Sequence, residues 1–141
     1  NTAVGRDALA ANTTGNTNVA IGDYAMSAST TADKNVAVGS NAMASLSADG
    51  DSMNVAVGFR AAQNSTTASQ FTALGADTLT AQTTASYNIA IGRDALTNNT
   101  TGSPNIAIGY EALGDNTTAG NNVAIGLNCL ALNTTGAVNK T

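Results

Sequence analysis

The chain has 141 residues, a length typical of one domain, and only 10% of them are charged, for a net charge of −4. Its five basic residues are scattered rather than gathered in a stripe, which argues against a nucleic-acid partner. No apolar run approaches the roughly 20 residues of a membrane-spanning helix, so we expect no membrane insertion by this segment. Histidine is absent, and with it the commonest base and metal ligand.

A tetrad that ends in glycine recurs through the whole chain. It first reads Thr2-Ala3-Val4-Gly5 and next Val19-Ala20-Ile21-Gly22. A fixed period over eight copies is the signature of a repeat architecture. The sequence therefore predicts a single repeat domain over residues 1–141, which we expect to be a fragment of a longer protein. Its eight coils are numbered here by their glycines. Successive glycines are 17 residues apart, except for one spacing of 19: they are Gly5, Gly22, Gly39, Gly58, Gly75, Gly92, Gly109 and Gly126.

Other residues keep phase with this glycine. Asparagine stands four residues before it in seven coils, with Phe71 as the exception, and alanine stands three after it in six coils. Leucine or methionine stands four after it in seven coils, and threonine pairs such as Thr13-Thr14 follow at eight and nine. The unit thus reads approximately Asn-Val-Ala-Ile-Gly, then Ala-Leu, then Asn-Thr-Thr-Gly.

Each unit has the features of two short strands and two corners. Val-Ala-Ile alternates large β-branched and small residues with a period of two, which predicts a strand. The glycine permits a corner because it has no Cβ atom, and Asn-Thr-Thr-Gly is typical of a turn. The Ala-Leu segment would form the second side of the coil. Seventeen residues cannot hold a strand, a packed helix and two turns, so we predict an all-β parallel β-roll, a β-solenoid of stacked coils.

The strand alternation must place one set of side chains inside the coil. We expect Val19 and Ile21, with their copies, to face inward toward leucine or methionine of the opposite side. The repeated asparagine has two interpretations. Its amides can form a ladder in which each satisfies its neighbour, or asparagine can simply tolerate left-handed turn backbone.

Few large apolar side chains are available in each coil, so a lone stack of coils is thinly supported and we expect self-association. The alanine two residues before the glycine is identical in all eight coils. We predict that it lies near the interface between chains, where a larger side chain would hold the backbones apart. Alternatively, this alanine points into a narrow lumen and the Val and Ile residues face the partner chains. The column consists of Ala3, Ala20, Ala37, Ala56, Ala73, Ala90, Ala107 and Ala124.

The motif Asn18-Val19-Ala20-Ile21-Gly22 and its copies resemble the head repeats of YadA-like trimeric autotransporter adhesins. The Ala-Leu and Asn-Thr-Thr-Gly segments also resemble repeats of phage tail-fibre proteins, and together these resemblances cover the whole chain. They imply a left-handed β-roll, a homotrimer and an extracellular location, on a cell surface or a virion. The coils are longer than typical adhesin head coils, which favours the phage-fibre interpretation.

The leading functional hypothesis is a structural shaft or head segment of a trimeric surface fibre, a stiff rod for attachment to a host or surface. The alternative is direct adhesion to a host receptor, polymer or glycan through the repeated outer face. Exposed aromatics would mark such a face, but Tyr24, Phe59, Tyr87 and Tyr110 fall in different coils and do not form one column. Ice binding by the threonine array is a minor alternative, since adjacent threonines of a strand point in opposite directions.

No group of residues predicts an enzyme, a cofactor or a metal site. Cys129 occupies the alanine position three after the glycine and has no base in phase with it. The acids that follow the glycine by one or two places are expected to be solvated edge charges. Asp49 and Asp51, in the 19-residue coil, could contribute to a Ca²⁺ site, but a polar turn is the simpler interpretation. We expect the two extra residues of that coil in an exposed bulge within residues 47–53.

Overall fold

The computed structural model describes residues 1–137, and within them the chain is a β-solenoid without helices. Eight three- or four-residue strands, one from each coil, form a single parallel sheet, and two shorter strands pair separately. The strands are β1 Thr2–Val4, β2 Val19–Ile21, β3 Ala32–Asp33, β4 Val36–Val38, β5 Gly50–Asp51, β6 Val55–Val57, β7 Thr72–Leu74, β8 Ile89–Ile91, β9 Asn105–Ile108 and β10 Asn122–Ile125.

The register of the large sheet repeats from coil to coil. Ala20 pairs with Ala37, and Ala37 pairs with Ala56 across the 19-residue coil, so the longer coil leaves the register intact. Seven steps of about 4.8 Å give a sheet roughly 34 Å long. The predicted stack of eight coils is therefore confirmed for the described part of the chain.

The repeat glycines form the corner after each strand, as predicted. Gly22 has a φ of +131°, a conformation that residues with a Cβ atom rarely adopt. A Cβ atom at this position would also lie 2.6 Å from the carbonyl carbon of Gly39 in the next coil. Glycine is thus required by backbone conformation and by the close approach of stacked corners.

The predicted orientation of the strands is wrong, because alanine faces inward and the β-branched residues face outward. Ala90 is fully buried, whereas Ile89 on one side of it is exposed and Ile91 on the other is half-buried. The lumen is too narrow for large side chains on the strand side. The alanine column is consequently core rather than interface, and only Ala3, in the first coil, is exposed: the column is Ala3, Ala20, Ala37, Ala56, Ala73, Ala90, Ala107 and Ala124.

The Ala-Leu segment is not the second strand that we predicted but a series of turns with left-handed residues. Asp7 and Leu9 have φ values of +54° and +53°, and the equivalent residues repeat this conformation in every coil. Within a coil, the Asn12 amide donates to the Leu9 carbonyl at 3.0 Å. Between coils, the Leu9 amide donates to the Ala25 carbonyl at 3.0 Å. This double hydrogen bonding offsets the roughly 1–2 kcal/mol that each left-handed residue costs.

The interior is filled mainly from the turn side. The side chains four after the glycine are buried, as predicted; the largest are Met26, Met43, Leu79, Leu96 and Leu113. Ala62 is the exception in this position, and Phe71 is the exception in the asparagine position nine residues later. Both are buried in the same hydrophobic core.

The 19-residue coil is more ordered than the exposed bulge that we expected. Its β5 pairs with β3 of the preceding coil, and Ala48 and Ser52 are buried. Asp49, Asp51 and Met53 point outward and are exposed. The extra residues therefore lie within the predicted range, but they form a short second sheet on the side of the solenoid.

Candidate functional site

The outer side of the eight-stranded sheet is a continuous apolar surface, here called the outer face. It consists of the side chains three and one residues before each repeat glycine. Fourteen of the 16 positions are Val, Ile or Leu, two are Thr and none is charged. All are half-buried or exposed in the single chain. They are Thr2, Val4, Val19, Ile21, Val36, Val38, Val55, Val57, Thr72, Leu74, Ile89, Ile91, Ile106, Ile108, Val123 and Ile125.

Its dimensions are those of an interface. The sheet is about 34 Å long. Its width, measured from the residue five before each repeat glycine to the residue one after it, is roughly 20 Å at about 3.3 Å per residue. The resulting area of about 700 Å² is close to the roughly 800 Å² that each partner contributes to a standard protein–protein interface.

A ladder of asparagine side chains supports this face from inside. The Asn105 backbone amide donates to Asn88 Oδ1 at 2.8 Å, and the Asn122 backbone amide donates to Asn105 Oδ1 at 3.1 Å. Asn105 Nδ2 donates in turn to the Ala119 carbonyl at 2.8 Å, on the other side of the same coil. These asparagines are not left-handed, so the ladder interpretation is correct and the turn-tolerance interpretation is wrong.

Three arginine–aromatic pairs lie on one edge of the outer face. We call this the glycine edge, and it consists of the residues one and two after each repeat glycine. The Arg6 guanidinium lies 4.9 Å from the ring centroid of Tyr24, and Arg60 lies 4.9 Å from that of Phe59. Arg93 lies 5.8 Å from the centroid of Tyr110. Phe59 and Tyr110 directly follow their repeat glycines and Tyr24 is one place further on, so the corners bring all three rings to a common edge.

Each of these arginines also forms an ion pair, so the edge acids are not simply solvated. Arg6 pairs with Asp23 at 3.3 Å, Arg60 with Asp77 at 2.6 Å and Arg93 with Asp94 at 3.0 Å. The arginine side chains are about half exposed or more, so each pair contributes little to stability, on the order of 0–1 kcal/mol.

Tyr110 is part of the third of these clusters. Its hydroxyl donates a hydrogen bond to the carboxylate of Glu111, and this bond, with the nearby negative charge, raises the pKa of Tyr110 above its ordinary value. The hydroxyl therefore stays protonated, and remains a donor, at neutral pH.

The opposite edge of the outer face, here called the asparagine edge, carries the residue five before each repeat glycine. All seven of these residues are exposed, and all except Pro104 are left-handed. Met53 and Tyr87 stand out among them, with exposed fractions of 44% and 59%. The members are Thr17, Lys34, Met53, Gln70, Tyr87, Pro104 and Asn121.

The threonine pairs lie on a different side of the solenoid. The first hydroxyl of a pair is used internally: Thr83 Oγ1 donates to the Thr100 carbonyl at 3.3 Å, and Thr100 Oγ1 to the Thr117 carbonyl at 3.0 Å. The second threonine of the pair, such as Thr84 or Thr101, is exposed in every pair except that of the half-buried Thr31. A single threonine column, rather than a doubled array, therefore faces solvent.

The acids of the 19-residue coil already have partners. The Thr31 hydroxyl donates to Asp49, and Lys34 Nζ pairs with Asp51 at 2.6 Å. Within residues 1–137, no three acidic, cysteine or histidine side chains are grouped so that they could hold a metal ion. The half-buried Cys129 packs against the core.

A groove of about 420 Å³ runs beside the turn segments of coils 6 to 8. Among its lining residues, Asp94 pairs with Arg93, Glu111 accepts from Tyr110, and Asp115 accepts from Asn98 at 3.2 Å. The groove offers acceptors whose positions are fixed by neighbours, but no nucleophile and base in contact.

The described part of the chain contains no helix long and apolar enough to cross a membrane. Comparison of the sequence and fold with protein-family models, curated proteins and solved structures finds no match.

Proposed function

We propose that this chain is a shaft or head segment of a surface fibre, in which copies associate through the outer face into a stiff homotrimeric rod. The observation that carries the proposal is the outer face of eight coils, which is Val, Ile or Leu at 14 of its 16 positions and carries no charge. Soluble monomers rarely leave such a stripe uncovered, and here no other part of residues 1–137 covers it. The number three, the extracellular or virion location and the left-handed coil rest on the resemblance to adhesin heads and tail fibres.

The role is mechanical rather than catalytic. Parallel strands, glycine corners and the asparagine ladder repeat along one axis, so the solenoid resists bending in every coil. Burial of the outer face between copies would add a second core along the same axis. Such a rod provides reach and stiffness, and it needs no cofactor.

Direct adhesion to a host polymer or glycan remains the second candidate, and the glycine edge is the place for it. Phe59 and Tyr110 are exposed there beside fixed carboxylates. One face of each ring is occupied by an arginine, however, which halves the stacking surface offered to a sugar. Self-association therefore accounts for more of the surface.

Charges placed on the outer face test the proposal. In the Ile91→Asp/Ile108→Asp variant, two carboxylates replace outward side chains that are half-buried in the single chain. The matched control is Thr84→Asp/Thr101→Asp, which adds the same charges in neighbouring coils on the exposed threonine column. Light scattering should give a monomer mass for the first variant and the mass of the unaltered oligomer for the second.

Circular dichroism separates dissociation from unfolding, since both variants should keep the β-sheet spectrum. An outer-face variant that is folded and still oligomeric would exclude this face as the interface. Dissociation of the control as well would show a nonspecific effect of charge, and it would equally contradict the proposal.

A further inference from the structure

The outer face by itself distinguishes poorly between alternative alignments of two copies along the rod. All its positions except Thr2, Thr72 and Leu74 are Val or Ile, so a slip of one coil, about 4.8 Å, replaces most contacts by equivalent Val and Ile contacts. The slip uncovers only one coil of eight at each end. As in any strand pairing with a uniform pattern, register must then come from side chains that do not repeat.

Such side chains are found on the two edges, and in coils 4, 6 and 7 both edges carry a bulky one. Coil 4 has Met53 on the asparagine edge and Phe59 on the glycine edge. Coil 6 has Tyr87 opposite Arg93, and coil 7 has Pro104 opposite Tyr110. All six are exposed in the single chain, although none of them is needed to fill its core.

Around an axis parallel to the rod, every copy presents its glycine edge to the asparagine edge of the next copy, because the interface is heterologous. We infer that three cross-chain contacts, Met53 with Phe59, Tyr87 with Arg93 and Pro104 with Tyr110, hold neighbouring copies in register. This inference rests on the proposed self-association and adds to it the partner edge and the alignment.

The chemistry of the three pairs suits this role. A methionine sulfur against a phenyl ring, an arginine over a tyrosine ring and a proline against a tyrosine ring are all favourable contacts. The arginine stacking within each chain holds Phe59 and Tyr110 in place beforehand. Aromatic and arginine side chains are also the commonest anchors of protein interfaces.

A slipped assembly loses this matching. When the asparagine edge of one copy faces the glycine edge of the preceding coil of its neighbour, Met53 lies opposite Ser40 and Tyr87 lies opposite Ala76. When it faces the following coil instead, Met53 lies opposite Ala76 and Gln70 lies opposite Arg93, although Tyr87 then lies opposite Tyr110. Only the aligned arrangement pairs all three sets at once.

Disulfide trapping across the edges tests the alignment, in a Cys129→Ser background that removes the natural thiol. The aligned pair is Gln70→Cys/Ala76→Cys, whose two positions lie in coil 5 on opposite edges. They are roughly 20 Å apart within one chain, too far for an internal disulfide, which needs Cα atoms within about 7 Å. The control, Gln70→Cys/Ser40→Cys, places the second thiol two coils away, about 10 Å along the axis.

We expect the aligned pair to give covalent oligomers on a non-reducing gel and the offset pair to stay monomeric there. The triple substitution Phe59→Ser/Arg93→Ser/Tyr110→Ser removes the glycine-edge members of the three contacts. It should lower the yield of disulfide-linked oligomers from the aligned cysteine pair several-fold and allow the offset pair to crosslink. Light scattering before oxidation should still show an oligomer.

Offset crosslinking as efficient as aligned crosslinking, or a pattern unchanged by removal of the anchors, would overturn the inference and leave self-association standing. A monomer mass before oxidation would instead contradict the proposed function.

Discussion

The inner and outer faces of the eight-stranded sheet come from alternate residues of the same strands, yet they carry opposite kinds of side chain. The inner face has Ala90 and the ladder residue Asn88, both fully buried. The outer face has Ile89 and Ile91, which remain in contact with solvent in the single chain. The small and polar residues are thus inside, and the large apolar residues are outside.

The strand side of the lumen therefore selects for small size and hydrogen bonding, because the turn side already fills the interior with large apolar side chains such as Met26 and Leu96. A coil of 17 residues leaves little space behind the strand, and that space is filled by methyl groups and by amides whose polar atoms are paired. The large aliphatic residues are then displaced to the outside, where they gain burial only against another molecule.

The largest expected effect comes from placing the same charge on either side of one strand. Ala90→Asp would bury an unpaired carboxylate, at a cost of several kcal/mol, and should abolish folding. Ile91→Asp should leave the single-chain fold intact. Circular dichroism and thermal melting check both variants, and a cooperative transition in Ala90→Asp near that of the unaltered chain would contradict the inward orientation.

Alanine substitutions of two glycines compare a stacked corner with an open turn. Gly22→Ala combines a strained φ with a clash against the Gly39 backbone, and should cost more than about 3 kcal/mol. Gly50→Ala meets nothing within 4 Å and has only the left-handed conformation to oppose it, so about 1 kcal/mol is expected. Equal losses in urea denaturation would count against the stacked-corner explanation.

Removing one asparagine side chain of the ladder tests how much the hydrogen bonds of the inner face contribute to stability. Asn105→Ala removes the acceptor of the buried Asn122 backbone amide, whereas the Ala119 carbonyl keeps a second donor, Asn116 Nδ2 at 3.0 Å. We expect a loss of about 1–3 kcal/mol in the free energy of unfolding, as for one buried group that loses its partner. The control Asn64→Ala, at an exposed position, should change it by less than about 0.5 kcal/mol.

The smallest change in stability is expected when valine replaces either member of a threonine pair. Thr83→Val removes the hydroxyl that donates to the Thr100 carbonyl, and should cost about 0.5–1.5 kcal/mol. Thr84→Val, on the exposed neighbour, should be close to neutral. The reverse order in chemical denaturation would mean that the pair is oriented the other way.

The repeat, the parallel stack and the glycine corners were predictable because they depend on period and on backbone conformation. The orientation of the strands was not, because Val19 and Ile21 satisfy the ordinary expectation that large apolar residues are inside. The sequence does contain a signal for the observed orientation. In the strand segment Asn18, Ala20 and Gly22 lie on the same face, and all three are small or polar. Thr2 and Thr72 also replace Val or Ile on the other side, which a tight core would resist.

The left-handed turns and the edge clusters were missed for different reasons. Leu9 and Met26 are residue types that rarely adopt positive φ, so their sequence carries no turn signal. Hydrogen bonds within and between coils, together with burial of their side chains, hold them there. The arginine–aromatic pairs join residues one coil apart or adjacent in sequence, and they become visible only when the corner has brought both positions to the same edge.

Association of copies through the outer face is tested most directly by measuring the mass of the unmodified chain with light scattering over a range of concentrations. The chain has a mass of 13.9 kDa, so a trimer built on the outer face has three times that mass, 41.7 kDa. We expect this value at micromolar concentration, with dissociation only on strong dilution. A folded species that stays at 13.9 kDa throughout the range would show that the outer face is not an interface between copies.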